Sequence, residues 1–172
     1  MKLIKPDESY KEQIATYRRE FLEANSSMDG CGSLFRMETP EEWLEQVKSL
    51  ANIETVPSNF VQSTQYIYVR ETDNKLVGMI QVRHYFNEFL EKYGGHIGYS
   101  VRPSERKKGY ASSMLQDCLL YCKEIGLNRV LLTCEESNIG SKKTIIKNGG
   151  IYEKTVFCES DNVNLERYWI EL

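Results

Sequence analysis

The sequence has no long apolar run and few of the residues that break regular structure. None of its segments approaches the ~20 consecutive apolar residues that cross a bilayer, and the opening MKLIKP contains no apolar signal core. The 172 residues include only 11 Gly and 4 Pro, without a period, while 11% are aromatic. These values exclude collagen-like and disordered chains. We therefore expect a cytoplasmic globular protein that does not associate with membranes.

The cysteines show no metal-binding pattern. The five cysteines contain no Cys-x-x-Cys pair, and no histidine lies at zinc-finger spacing from them. Cys118 and Cys122 lie one helical turn apart in an apolar pattern, which is typical of buried thiols. The sequence therefore predicts buried cysteines and no metal site.

Neither sign of charge is in large excess. The 22 Lys and Arg residues are set against 25 Asp and Glu, which leaves a net charge of −3. This balance is too small, and of the wrong sign, for general attraction to nucleic acid or to anionic membranes. Any anion site must therefore be local. The length is typical of one domain, residues 1–172, which can bury a core without disulfides or metal.

The apolar periodicity predicts an α/β fold. Helical spacing is found at about 7–25, from 40 onward after the Thr39 capping box, at 109–125 and at 140–148. Strand-like segments are found at 3–4, 65–70, 75–83, 96–101, 129–134, 151–158 and 165–172. The order β-α-α-β-β-β-α-β-α-β-β predicts a mixed central sheet of about seven strands with helices on both faces. The central strand–helix–strand unit is expected to cross over right-handed and to form a parallel pair.

The turn before the third predicted helix is basic and contains a glycine. It reads Arg106-Lys107-Lys108-Gly109-Tyr110-Ala111 and joins a strand to the helix. Free N–H groups and the positive dipole end of a helix attract phosphate oxygens, and Gly109 lets the backbone approach the ligand closely. The turn is therefore a candidate pyrophosphate site. A solvated basic loop explains the three cationic side chains equally well.

Four short motifs, in the same order along the chain, resemble the GNAT superfamily of acyl-CoA-dependent N-acyltransferases. They are Val101-Arg102-Pro103, the set Arg106, Gly109 and Ala111, Asn138-Ile139-Gly140-Ser141, and Lys147-Asn148-Gly149-Gly150. The resemblance covers nearly the whole chain and implies a single-domain GNAT-like fold.

The resemblance implies that acetyl-CoA, or another acyl-CoA, lies in a V-shaped opening between the fourth and fifth strands, which part because the fourth carries a bulge. Backbone amides from Lys107 to Ala111 would hold the pyrophosphate, and the strand near Tyr99 and Val101 would pair with the pantetheine arm. A backbone amide of that strand would also polarise the thioester carbonyl. The implied cofactor-binding residues are Tyr99, Val101, Arg106, Lys107, Lys108, Gly109, Tyr110, Ala111, Asn138 and Ser141.

In such a reaction an amine with a pKa near 10 loses a proton before it attacks the thioester. The candidate bases are His96 at the start of the fourth strand, His84 at the end of the third, in a stretch that could face the acceptor, and Glu136 after the fifth. Each histidine is equally well explained as an ordinary hydrogen-bonded residue, and a solvated loop explains Glu136 better than a catalytic role does. Ile145 stands where many members of the superfamily have the tyrosine that protonates the leaving thiolate. The general acid is therefore unassigned.

These observations predict an N-acetyltransferase that uses acetyl-CoA and acts on a primary amine of an unidentified small molecule or peptide. Ile145 leaves open an alternative, a non-catalytic CoA-binding sensor or regulatory module. The expected partners are acetyl-CoA and the amine, without nucleic acid or membrane. A monomer and a homodimer are both compatible with the sequence.

Overall fold

Seven strands and four helices follow one another in the predicted order. The computed structural model describes residues 1–172. The helices are α1 (Lys11–Glu23), α2 (Pro40–Ala51), α3 (Tyr110–Glu124) and α4 (Ile139–Lys147). The strands are β1 (Lys2–Ile4), β2 (Ser63–Arg70), β3 (Lys75–Arg83), β4 (Ile97–Val101), β5 (Arg129–Glu135), β6 (Ile151–Cys158) and β7 (Val163–Glu171). None of the helices combines the length and the hydrophobicity that crossing a membrane requires.

The seven strands form two antiparallel sheets, of order β1-β2-β3-β4 and β5-β7-β6. The predicted parallel pair between β4 and β5 does not form a ladder, and this part of the prediction is wrong. A single backbone hydrogen bond joins the two sheets there, from the N–H of His96 to the carbonyl of Leu131 at 2.7 Å. Beyond this bond the facing edges of β4 and β5 are unpaired, and we call the region between them the inter-sheet opening.

The bulge that the resemblance implies for β4 is absent from its pairing with β3, which is regular from Gly78↔Val101 to Val82↔Ile97. The irregularity lies one strand further in, between β2 and β3 at Tyr68 and Val69. The two sheets therefore separate without a break in the β3–β4 register.

Helices cover both faces, as predicted. One core cluster contains Met114, Leu115, Cys118 and Cys122 of α3, together with Ile145 of α4. A second cluster joins α1 and α2 to the opposite face of the sheet through apolar residues such as Trp43 and Met79. The five cysteines are free and buried, which confirms the prediction of buried thiols.

Two helix starts illustrate how local sequence sets the boundaries. Thr39 caps α2 by accepting a hydrogen bond from the N–H of Glu42, and Pro40 occupies the first turn. In contrast, α1 begins at Lys11 rather than near residue 7, because Asp7 caps a separate 3₁₀ turn, Glu8–Tyr10. The buried face of α1 consists of Ile14, Tyr17 and Phe21.

Candidate functional site

The turn before α3 carries a row of unused backbone donors. Lys107 and Gly109 adopt left-handed φ angles of 63° and 83°, a geometry that turns successive N–H groups toward one side. The five N–H groups from Lys107 to Ala111 donate no hydrogen bond within the chain, and the helical pattern begins with the N–H of Ser112. No atom lies within 4 Å of the position that a Cβ of Gly109 would take. The start of α3 therefore offers an open, donor-rich site for an anion.

Two of the three basic side chains of this turn are used inside the protein. Lys108 donates to Glu105, which also accepts hydrogen bonds from Arg70 and Lys75, at 2.7 to 2.9 Å in all three cases. These cations, led by Lys108, lower the pKa of Glu105 to about 2. The guanidinium of Arg106 donates to the carbonyl of Val101 and to the hydroxyl of Ser26. Backbone amides, rather than this set of side chains, therefore form most of the anion site.

The edge of β4 that faces the inter-sheet opening has backbone groups that pair with no other strand, although the carbonyl of Val101 accepts a hydrogen bond from Arg106. In an antiparallel ladder alternate residues pair with the neighbouring strand. The hydrogen bonds from Arg83 N–H to His96 O and from Arg102 N–H to Val77 O fix which residues of β4 pair with β3. The N–H and C=O groups of Tyr99 and Val101 therefore point away from β3. An extended ligand can bind such an edge as an added strand.

The opposite side of the opening is formed by the start of α4. Asn138 caps this helix by accepting a hydrogen bond from the N–H of Ser141 at 3.0 Å. The hydroxyl of Ser141 lies 2.9 Å from that of Tyr99, so a hydrogen bond joins β4 to α4. Burial is the main reason why the pKa of Tyr99 rises to about 12. The structure thus brings Tyr99 of β4 together with Asn138 and Ser141 at the start of α4, three predicted site residues from two separate segments.

His96 lies where the two sheets meet. Its Nδ1 accepts a hydrogen bond from the N–H of Leu131 at 3.0 Å, and its ring stacks on Phe86 with centroids 4.0 Å apart. Burial, with a smaller effect of the Arg83 charge, lowers the pKa of His96 to about 4. The neutral ring therefore carries its proton on Nε2, and its only lone pair is occupied. These contacts favour a structural role, and the role as base stays a prediction.

The other two candidate bases lie apart from His96. His84 has its Nε2 2.9 Å from the hydroxyl of Thr64 and near Tyr121 of α3, and burial lowers its pKa. Glu136 is exposed and accepts a hydrogen bond from the side chain of Asn164 at 3.2 Å. The structure does not bring these three residues into one catalytic group.

Sequence reasoning missed the part of the α1–α2 loop that rests on β4. A Cβ at Gly30 would lie 2.1 Å from the carbonyl oxygen of Gly98, so only glycine permits this approach. The hydroxyl of Ser100 donates to the carbonyl of Asp29 at 2.6 Å. The negative charge of Asp29 contributes to the raised pKa of Tyr99. The two glycines of Asp29-Gly30-Cys31-Gly32, both at positive φ, are the only signal of this contact in the sequence.

Comparison with known proteins identifies the family of the chain. The family model described as acetyltransferase (GNAT) family matches residues 28–149. Over 86 residues the chain is 35% identical to the uncharacterized N-acetyltransferase YnaD of Bacillus subtilis (strain 168). That match covers 47% of this chain and 48% of the relative, so it spans about half the length of each.

Solved structures share the fold at low sequence identity. A ribosomal-protein-S5-alanine acetyltransferase from Vibrio fischeri superposes with a TM-score of 0.73 at 16% identity, over 98% of this chain and 91% of that one. A ribosomal L7/L12 alpha-N-protein acetyltransferase, RimL, solved in complex with coenzyme A, gives a TM-score of 0.68 at 18% identity, with 99% and 93% covered. At these identities the likeness describes the fold alone.

Proposed function

The chain belongs to the acetyltransferase (GNAT) family, and from this membership we propose that it transfers the acetyl group of acetyl-CoA to a primary amine of a small molecule or peptide. The observation that carries the proposal is the row of five unpaired N–H groups from Lys107 to Ala111 beside the free edge of β4. A pyrophosphate followed by an extended amide-containing arm is complementary to this pair of features.

The residues of the chain fit acetyl-CoA on both sides of the opening. The amides of the turn would hold the pyrophosphate, and Gly109 leaves room for its close approach. The backbone groups of Tyr99 and Val101 would pair with the pantetheine arm and orient the thioester carbonyl. Asn138 and Ser141 would line the arm from the side of α4.

Acetyl-CoA supplies a thioester, whose C–S bond breaks as the C–N bond to the amine forms, while the amine loses a proton and the thiolate of CoA gains one. Ile145 is fully buried and apolar, so it contributes no proton. We place the hydroxyl pair of Tyr99 and Ser141 beside the thiolate as hydrogen-bond donors. A thiol with a pKa near 8.5 leaves well as its thiolate, so a hydrogen bond suffices during C–S cleavage and the sulfur takes up its proton afterwards.

The amine must reach the thioester without its extra proton. Among the predicted bases, Glu136 is exposed after β5, and His84 is hydrogen-bonded on the α3 side. The α1–α2 loop holds Asp29 beside β4 through its backbone carbonyl, and its exposed carboxylate accepts a hydrogen bond only from Ser27. We propose Asp29 as the group that receives the proton, directly or through water.

Ile145 also supports a second candidate, a CoA-binding sensor without turnover. Release of free CoA thiol from acetyl-CoA, measured across a panel of primary amines, separates the two functions. A transferase releases thiol faster in the presence of specific amines. A sensor binds acetyl-CoA in calorimetry, yet no amine accelerates thiol release. The second result would overturn the proposed transfer.

A further inference from the structure

The face of the β2–β3–β4 sheet that carries α1 and α2 becomes polar toward one end. Ile67 and Met79 on this face belong to the apolar core. Further along, the register aligns Ser63 with Arg83 and Gln65 with Gln81. The three uncharged residues of this set are less than 7% exposed. Buried polar side chains are costly unless they are hydrogen-bonded. Gln65 donates to the carbonyl of Gly30, and Gln81 donates to the hydroxyl of Ser63, so this polar end is linked to the α1–α2 loop.

Arg83 is the cationic group of this polar end, and it has no carboxylate partner. Its Nη1 donates to the carbonyls of Gly94 and Gly95 at 3.0 and 3.3 Å. Its Nε and Nη2 have no acceptor in the chain, and Arg83 forms no ion pair. The side chain is half-buried, and the fully buried atoms that lack partners belong instead to Gln65 and Arg102. Two donors of Arg83 are therefore left without a partner in the protein.

The guanidinium lies over β4, next to the strand edge assigned to the thioester arm. A Cβ at Gly98 would come within 3.3 Å of Nη2 of Arg83 and within 3.1 Å of the backbone nitrogen of Gly30. Glycine at position 98 thus makes room for the guanidinium and for the α1–α2 loop. Burial lowers the pKa of Arg83 to about 10, so the side chain is still a cation at pH 7.

Asp29 adjoins Gly30, whose backbone packs against Gly98 beside this guanidinium. Asp29 contributes to the pKa of Arg83 through its charge, yet the two side chains form no ion pair. The carboxylate of Asp29 is exposed and accepts a hydrogen bond from the hydroxyl of Ser27 at 3.0 Å. A positive and a negative group held apart beside β4 match a ligand that carries both charges.

We propose that the acceptor is a small amino carboxylate, whose carboxylate pairs with Arg83 and whose amino group faces Asp29. This inference rests on the proposed transferase function and narrows its substrate class. A bidentate pair between a guanidinium and a carboxylate is geometrically specific. It would fix the amino group relative to the thioester, which is the positioning that such a reaction needs.

The test compares the 20 common L-amino acids with their α-carboxamides, which keep the amine and lose the negative charge. Thiol release from acetyl-CoA gives kcat/KM for each acceptor. We expect the best amino acid to exceed its amide by about 10-fold to 100-fold. Arg83→Gln should raise KM for the amino acid and abolish its preference over the amide.

Two further variants keep the test decisive. Arg18→Gln is the matched control, because Arg18 also donates to backbone carbonyls, those of Leu34 and Phe35, and it should retain the preference. Arg83→Lys preserves the charge without the bidentate geometry. It should retain part of the preference for amino acids over amides, and it serves as the test if Arg83→Gln folds poorly.

The outcomes separate the inference from the proposed function. Wild-type protein that acetylates amides as efficiently as amino acids would overturn the amino-carboxylate class and leave the transferase standing. The same holds if Arg83→Gln lowers kcat/KM equally for both sets. Binding of acetyl-CoA without thiol release by any amine would overturn both.

Discussion

His96 joins the two sheets through both its backbone and its ring. Its N–H donates to the carbonyl of Leu131, and its Nδ1 accepts from the N–H of the same residue. A proton on Nδ1 would break the second bond and place a charge in a buried site near Arg83. The neutral ring is therefore part of the native contact between β4 and β5.

This contact predicts a pH-dependent effect of His96→Gln on stability. The pKa of His96 is about 4 in the folded protein, below the value near 6.5 of an unfolded histidine. Its contribution is therefore full above pH 6.5 and is lost as the pH falls toward 4. Urea unfolding should show that the free energy of unfolding falls more between pH 7.5 and pH 5 for wild type than for His96→Gln, by at most about 2 kcal/mol.

Turnover of the same variant distinguishes the structural role from the catalytic one. Folded His96→Gln should keep kcat within about threefold of wild type at pH 7.5. A loss of about 10²–10⁴ in kcat, together with the loss of a limb near pH 6–7 in the rate profile, would identify His96 as the general base. Identical pH dependence of stability in the two proteins would contradict the structural role.

At the scale of elements, α3 links the packing of the protein to its anion site. Leu115 is fully buried against the sheet, whereas Leu120 is 61% exposed on the same helix. Leu115→Ala should lower the free energy of unfolding by about 2–5 kcal/mol, and the control Leu120→Ala by less than about 0.5 kcal/mol. Chemical denaturation measures both. Equal losses would mean that α3 does not pack as described.

Helices and strands could be predicted where the sequence has a repeating apolar pattern, whereas the pairing between strands could not. Apolar spacing located α3 within one residue at each end, because its buried face repeats over four turns. The separation of β4 from β5 was implied by the resemblance but not by periodicity, which identifies strands and not which edges pair. The contact of His96 with Leu131 links positions 35 residues apart, and no local pattern encodes it.

At the scale of the whole molecule, the candidate site consists of backbone groups that the fold leaves unpaired, at the edge of β4 and at the start of α3. Two cores on opposite faces hold the sheets, which meet at one point and leave the edges of β4 and β5 free. The order of the motifs predicted that the turn from Arg106 to Ala111 is an anion site. It did not predict that Lys108 and Arg106 form hydrogen bonds within the protein. Arg83 and Asp29 are far apart in the sequence and border the same strand only in the folded chain, so the proposed acceptor site could not be predicted from the sequence.

The central claim is that acetyl-CoA binds through the amides at the start of α3. Isothermal titration calorimetry of acetyl-CoA with Gly109→Val and Gly126→Val tests it most directly. Both glycines have φ 83° and open space at the Cβ position, but Gly126 lies beyond the other end of α3. The backbone strain is therefore matched at roughly 1–2 kcal/mol, and circular dichroism checks that both variants fold.

The two variants should differ in affinity although they share the same strain. Gly109→Val places a branched side chain where the pyrophosphate must approach, so its affinity for acetyl-CoA should fall at least tenfold, about 1.4 kcal/mol. Gly126→Val should bind as wild type does. Folded Gly109→Val that binds acetyl-CoA as tightly as Gly126→Val would contradict the account.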